Sequence, residues 1–131
     1  MHILERLGLL NSEIINMIEI CPEISLLSHD EIFNNIQLLK KIDLEDSEIK
    51  EILIINPFLL NRNYIDIYNL IIKLSSIGIR NIDSLVTINP FLLSKEAYEI
   101  DEYIHSGMEK GSSIQNSIEA LIQNPYVIEE I

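Results

Sequence analysis

The sequence predicts an all-α fold, a solenoid of stacked helix-turn-helix repeats. Two observations carry that prediction. The first is that all four prolines stand in copies of one phrase: Cys21-Pro22-Glu23-Ile24, Asn56-Pro57-Phe58-Leu59-Leu60, Asn89-Pro90-Phe91-Leu92-Leu93 and Asn124-Pro125-Tyr126-Val127-Ile128. These prolines are 35, 33 and 35 residues apart. A fixed period of that size marks units that bury their apolar faces only by stacking on a neighbour. The second observation is the helical spacing of apolar residues on both sides of each phrase, with no strand-like alternation.

Each unit opens with a helix. Its apolar positions are Ile14, Ile15 and Ile18 in the first unit, and Ile49, Ile52, Leu53 and Ile55 in the second. The third has Ile82, Leu85, Val86 and Ile88; the fourth has Ile114, Ile118, Leu121 and Ile122. Polar starters Asn11, Asp46, Asn81 and Ser112-Ser113 are expected as N-caps. Proline then ends the helix, because its ring disfavours helical geometry at the preceding residue, where Asn is tolerated in a turn. Pro22, Pro57, Pro90 and Pro125 are therefore structural turn residues, and the apolar residues after them are expected to plug the core.

A second helix follows, from Asp30 to about Lys41, Asn63 to about Ser75, and Ser94 to about His105. The units are joined at Gly8, Asp43, Gly78 and Gly111, where glycine suits a left-handed helix C-cap. The units run approximately 7–41, 42–76, 77–106 and 107–131 within a single domain, 1–131. The fourth unit has no second helix in this sequence. The flank around Ile118, Leu121 and Ile122, with Ile114, Val127 and Ile128, is therefore expected to lie open to a partner or a second copy of the chain.

Composition narrows the function. The 131 residues are 47% hydrophobic, with 21 acids against 9 bases and a formal charge of −12. That balance repels polyanions at long range. One cysteine excludes an internal disulfide and every multi-cysteine zinc motif. No apolar run reaches the ~18 residues of a membrane span. The start lacks a basic region ahead of an apolar stretch, so a cytoplasmic protein without a secretory signal is expected. No glycine-rich phosphate loop, nucleophile elbow or HExxH motif is present, so the expectation is a non-enzyme without catalytic, cofactor or metal site.

The hinges Leu7-Gly8-Leu9 and Ile77-Gly78-Ile79, followed by a helix, an Asn-Pro-Phe-Leu-Leu turn and a second helix, resemble the repeat of the mitochondrial transcription termination factor (mTERF) family. The resemblance covers essentially the whole chain, as about three and a half units. It implies two helices and a short 3-10 turn per repeat, and nucleic-acid binding along a basic concave path. The position after proline, often basic in that family, is Glu23, Phe58, Phe91 and Tyr126 here.

Arg6, Lys41, Lys73 and Lys110 recur at nearly the same distance before a proline, near the end of the second helix, and are the candidate nucleic-acid contacts. The competing explanation is that cations in a last helical turn complement the helix dipole. Arg62 and Lys95 form a smaller recurrence. The acids Asp43, Glu45, Asp46, Glu48 and Glu51 read as the solvated first turn of a helix more readily than as a docking site. Phe58, Phe91 and Tyr126 share one repeat position and are expected in the core, whereas Tyr64, Tyr68, Tyr98 and Tyr103 are candidates for a binding face. Cys21 stands where other units have Asn, and His105 with Asp101 forms an i,i+4 pair too small to hold a metal.

These readings place a non-catalytic binding module with a protein partner first, as an adaptor or regulator. Self-association is included, with the C-terminal repeat as a candidate interface. Nucleic-acid binding is the alternative, and an acidic decoy that blocks a nucleic-acid-binding enzyme is the third reading.

Overall fold

The computed structural model describes residues 2–130, and every regular element among them is helical. They form α1 (His2–Arg6), α2 (Asn11–Ile20), a 3-10 turn at Pro22–Leu26, α3 (His29–Lys41), α4 (Asp46–Ile55) and the short α5 (Phe58–Asn61). Then come α6 (Tyr64–Ser76), α7 (Ile82–Ile88), a 3-10 turn at Leu92–Ser94, α8 (Ala97–Glu109), α9 (Ile114–Gln123) and a 3-10 turn at Pro125–Glu130. The chain gathers into two compact units, Met1–Ile65 and Asp66–Ile131.

In the first unit, equivalent elements of successive repeats lie against each other. Helix α2 packs on α4, and the Pro22–Leu26 turn packs on α5. Helix α3 packs on α1, α4 and α5. The interior is aliphatic: Leu4, Met17, Ile24, Ile36, Leu39, Ile49, Leu53, Leu59 and Leu60 are all at most 2% exposed. In the second unit, α9 packs on α8 and on the last 3-10 turn, and that turn also reaches α7. Ile67, Leu70, Leu74, Val86, Leu92, Leu93, Ile100 and Leu121 are fully buried there.

The repeats are joined by left-handed residues. Gly8, Gly78 and Gly111 have φ of 96°, 95° and 91°, and Asp43 takes the same place at 70°. A side chain in that region is strained, so Asp43 is the unfavourable member of the set.

Two of the expected caps are displaced by one residue, and α8 starts at Ala97 rather than at the expected Ser94, which closes the preceding 3-10 turn. Asn11 and Asp46 are already helical, and the caps are Leu10 and Glu45. The reason is the glutamate three positions on. Glu13 accepts from the Leu10 amide at 2.7 Å, Glu48 from Glu45 at 2.9 Å, and Glu99 from Glu96 at 2.9 Å. A carboxylate there meets both an unsatisfied donor and the positive end of the helix dipole. Ser28 and Ser113 do cap with their own hydroxyls, accepting from Glu31 and Asn116, and Asn81 precedes α7.

Asparagine satisfies the backbone around the proline turns. Asn35, 4% exposed on α3, donates from Nδ2 toward the carbonyls of Leu59, Leu60 and Arg62 at 3.3, 3.1 and 2.8 Å. They lie at the C-terminal end of α5, where the helix leaves carbonyls short of amide donors; that of Leu59 also accepts from the Arg62 amide at 3.4 Å. Asn89, wholly buried, accepts from the Phe91 amide at 3.1 Å and donates to the Pro125 carbonyl at 3.3 Å. One side chain therefore shapes its own turn and ties it to the next.

The C-terminal flank is not open as expected. Ile118, Leu121 and Ile128 are 6%, 0% and 3% exposed, leaving Ile114 and Ile122 as the exposed residues of the group. The cover comes from within: the last 3-10 turn folds back over α9, and α8 closes the other side. Helices α8 and α9 approach so closely that a Cβ on Gly107 would collide with the Ser117 hydroxyl. Beside that contact the Tyr103 hydroxyl donates to the Ser117 carbonyl at 2.6 Å.

Two sets of variants probe this packing. Leu59→Asp or Leu60→Asp should each lower the unfolding free energy by about 3–5 kcal/mol, because each buries an unpaired charge. Pro57→Ala should cost about 1 kcal/mol, since the turn retains its other contacts. Urea titration followed by circular dichroism checks the order, and equal midpoints would contradict the plug role of the leucines. Asn35→Ala should cost about 1–3 kcal/mol by stranding buried carbonyls, and a loss below about 0.5 kcal/mol would show that they find other partners.

Candidate interaction surface

The proline phrase does more than end a helix. Phe58, Phe91 and Tyr126, each directly after a proline, are 51%, 43% and 45% exposed. This corrects the expectation of a core position. The two residues that follow, Leu59-Leu60 and Leu92-Leu93, take the interior instead and are at most 1% exposed. The tight turn points consecutive residues in different directions, so filling the core with the leucine pair leaves the ring outside. Two positions before proline, Ile20, Ile55 and Ile88 are each 53% exposed. Three of the four turns thus present an isoleucine and three present a ring.

In the second unit the rings of Phe91 and Tyr126 line a cleft of about 450 Å³ with Asn89, Ser94, Lys95, Glu99 and Glu129. Its walls are built by the turn. The Asn89 side chain accepts from the Phe91 amide, and that of Asn124 accepts from the Tyr126 amide at 3.2 Å. The same asparagine that starts each turn also orients the backbone carrying each ring. The two rings do not stack on one another, whereas His29 stacks on Phe33 in the first unit with centroids 6.1 Å apart. Lys95 Nζ holds Glu129 at 2.7 Å. Glu99 uses one carboxylate oxygen on the Glu96 amide.

The predicted basic row is distributed differently. Arg6 and Lys41 close α1 and α3 and are exposed, and Lys110 is the exposed C-cap of α8. Lys73 bonds Asp101 at 2.9 Å with its side chain 30% exposed. Lys40 is likewise 3.3 Å from Asp46. The end-of-helix placement satisfies the dipole argument, and Lys73, Lys40 and Lys95 already neutralise carboxylates. Pro57, Pro90 and Pro125 are buried, while Pro22 is exposed.

Other candidates resolve locally. His105 Nε2 lies 3.1 Å from Glu109 rather than pairing with Asp101. Tyr103 is a structural clasp through Ser117, whereas Tyr98 is 59% exposed. Among the described residues no three His, Cys, Asp or Glu side chains gather as a metal site. No helix among them is long and apolar enough to cross a membrane.

The periodic proline turns, the left-handed hinges and the alternating long helices describe one known repeat. The sequence profile of the mTERF family matches residues 1–129. The chain belongs to the mTERF family. Its all-α helical-repeat solenoid is the fold class that the proline period predicts. No individual curated protein matches the sequence.

Cys21, fully buried at the Asn position of the first turn, donates from Sγ to Glu23 at 3.4 Å. Burial, reinforced by the hydrogen bond to Glu23 and its charge, pushes the thiol above its usual value of 9.0. A raised acid keeps its proton in the fold, so its contribution is complete below the unfolded thiol's pKa and lost as pH rises through the folded one. The wild type should therefore lose stability above about pH 9 faster than Cys21→Ala does. Parallel urea titrations across that range test it, and identical pH profiles would refute it.

Proposed function

We propose that this mTERF-family protein is a non-catalytic adaptor that binds another protein along its proline turns. The observation that supports this reading is the recurrence of exposed Phe58, Phe91 and Tyr126 at one repeat position. Scattered exposed apolar residues are normal on any protein. Rings that recur at one repeat position, with exposed Ile55 and Ile88 three residues earlier in two of the turns, form a regular pattern instead. Aromatic side chains give a large contact area with few rotatable bonds, which is why they anchor protein interfaces.

Family membership favours a second reading, nucleic-acid binding. Duplex affinity grows with the number of phosphates neutralised by Lys and Arg. Here the nine bases face 21 acids, and Lys40, Lys73 and Lys95 are engaged by carboxylates. That arithmetic favours the protein partner.

Benzophenone photocrosslinkers placed at positions 58 and 91 separate the two readings. The expected adducts contain peptides of a second protein and survive nuclease. Adducts that collapse on nuclease treatment would transfer the surface to nucleic acid. In parallel, anisotropy with a generic duplex at physiological salt should give a Kd weaker than roughly 10 µM. Tighter, steeply salt-dependent binding that is lost when Arg6, Lys41, Lys73 and Lys110 become Ala would reverse the ranking.

A further inference from the structure

We infer that the cleft of the second unit receives an arginine side chain from a basic partner segment, an inference that rests on the protein-binding reading above. Two features of the cleft select a cation. Phe91 and Tyr126 expose ring surface without stacking on each other, and an aromatic face attracts a cation through its quadrupole. Glu99 and Glu129 supply carboxylates on the same lining. Rings and carboxylates together suit a guanidinium better than an ammonium, because its plane stacks on a ring while its fork meets a carboxylate.

Charge complementarity points the same way. Residues 66–131 carry ten acids against four bases, so a basic segment is drawn in and an acidic one repelled. The chain's own Lys95 lies in the cleft and bonds Glu129 at 2.7 Å. Lys95 thus occupies one of the two carboxylates, and the incoming arginine is directed to Glu99. That carboxylate has one oxygen on the Glu96 amide and a second to offer. Replacing Lys95 by a neutral side chain of similar length would open Glu129 as well.

The probe is a labelled short peptide alternating arginine and leucine, compared with its citrulline counterpart, which keeps the shape and removes the charge. Anisotropy at physiological salt should show the arginine peptide binding at least about ten-fold more tightly. Phe91→Ala with Tyr126→Ala, and separately Glu99→Gln, should each weaken it several-fold, while Lys95→Met strengthens it. Glu119→Gln changes the net charge equally on the exposed face of α9, outside the cleft lining, and should leave the affinity unchanged. Circular dichroism verifies that each variant is folded.

Equal binding of the two peptides would overturn the arginine pocket, yet leave protein binding at the proline turns standing. Arginine-peptide binding that ignores Phe91, Tyr126 and Glu99 would show attraction to the acidic surface at large and would also overturn it. So would failure of both peptides to bind. The broader adaptor reading fails on a different result, the nuclease-sensitive crosslink at positions 58 and 91.

Discussion

The constraint on which the structure depends is the satisfaction of backbone polar groups at proline turns held against an aliphatic core. Each turn interrupts a helix among Ile and Leu side chains, where an unpaired amide or carbonyl costs as much as a lost hydrogen bond. Amide side chains resolve this by serving as local backbone. Asn89 accepts from its own turn and donates to Pro125, and Asn35 gathers three carbonyls from the turn of the following repeat. Asn56 and Asn89 are at most 1% exposed, which is unusual for so polar a residue. Repeat stacking is therefore specified by polar contacts as well as by apolar burial.

That solution has a consequence for the surface. The residue after each proline cannot join the leucine pair inside, so it is presented outward, and in three repeats it is a ring. The element that interrupts the helix thus also exposes a ring at one repeat position in three of the units. In the second unit, packing of the last turn against α7 and α9 brings two of these turns to one cleft. The core plug and the exposed rings have a common origin in the Asn-Pro phrase.

The acids are also partly explained by the fold. Glu13, Glu31, Glu48 and Glu99 each accept an amide at a helix start, where a negative charge is favoured by the dipole. Others restrain the bases: Asp46, Asp101 and Glu129 hold Lys40, Lys73 and Lys95. A basic row can be drawn through the sequence, but its member Lys73, its neighbour Lys40, and Lys95 of the smaller recurrence are committed to internal ion pairs.

The sequence by itself determined whatever depends on local chain chemistry. The proline period, the helix pairs, the glycine hinges and the aliphatic stripes are set by dihedral preferences and by spacing along one helix, and they were legible without coordinates. Asp43 at a glycine's position was legible from register, and its positive φ agrees. Tertiary structure decided what depends on a neighbouring repeat. It exposed Phe58, Phe91 and Tyr126 because the leucines beside them fill the interior, and it buried Ile118, Leu121 and Ile128 because the final turn folds back. It gave Asn35 its role, which no local pattern marks, since its acceptors lie 24 to 27 residues away. Burial is a property of what covers a surface, and in a repeat array the cover comes from another repeat.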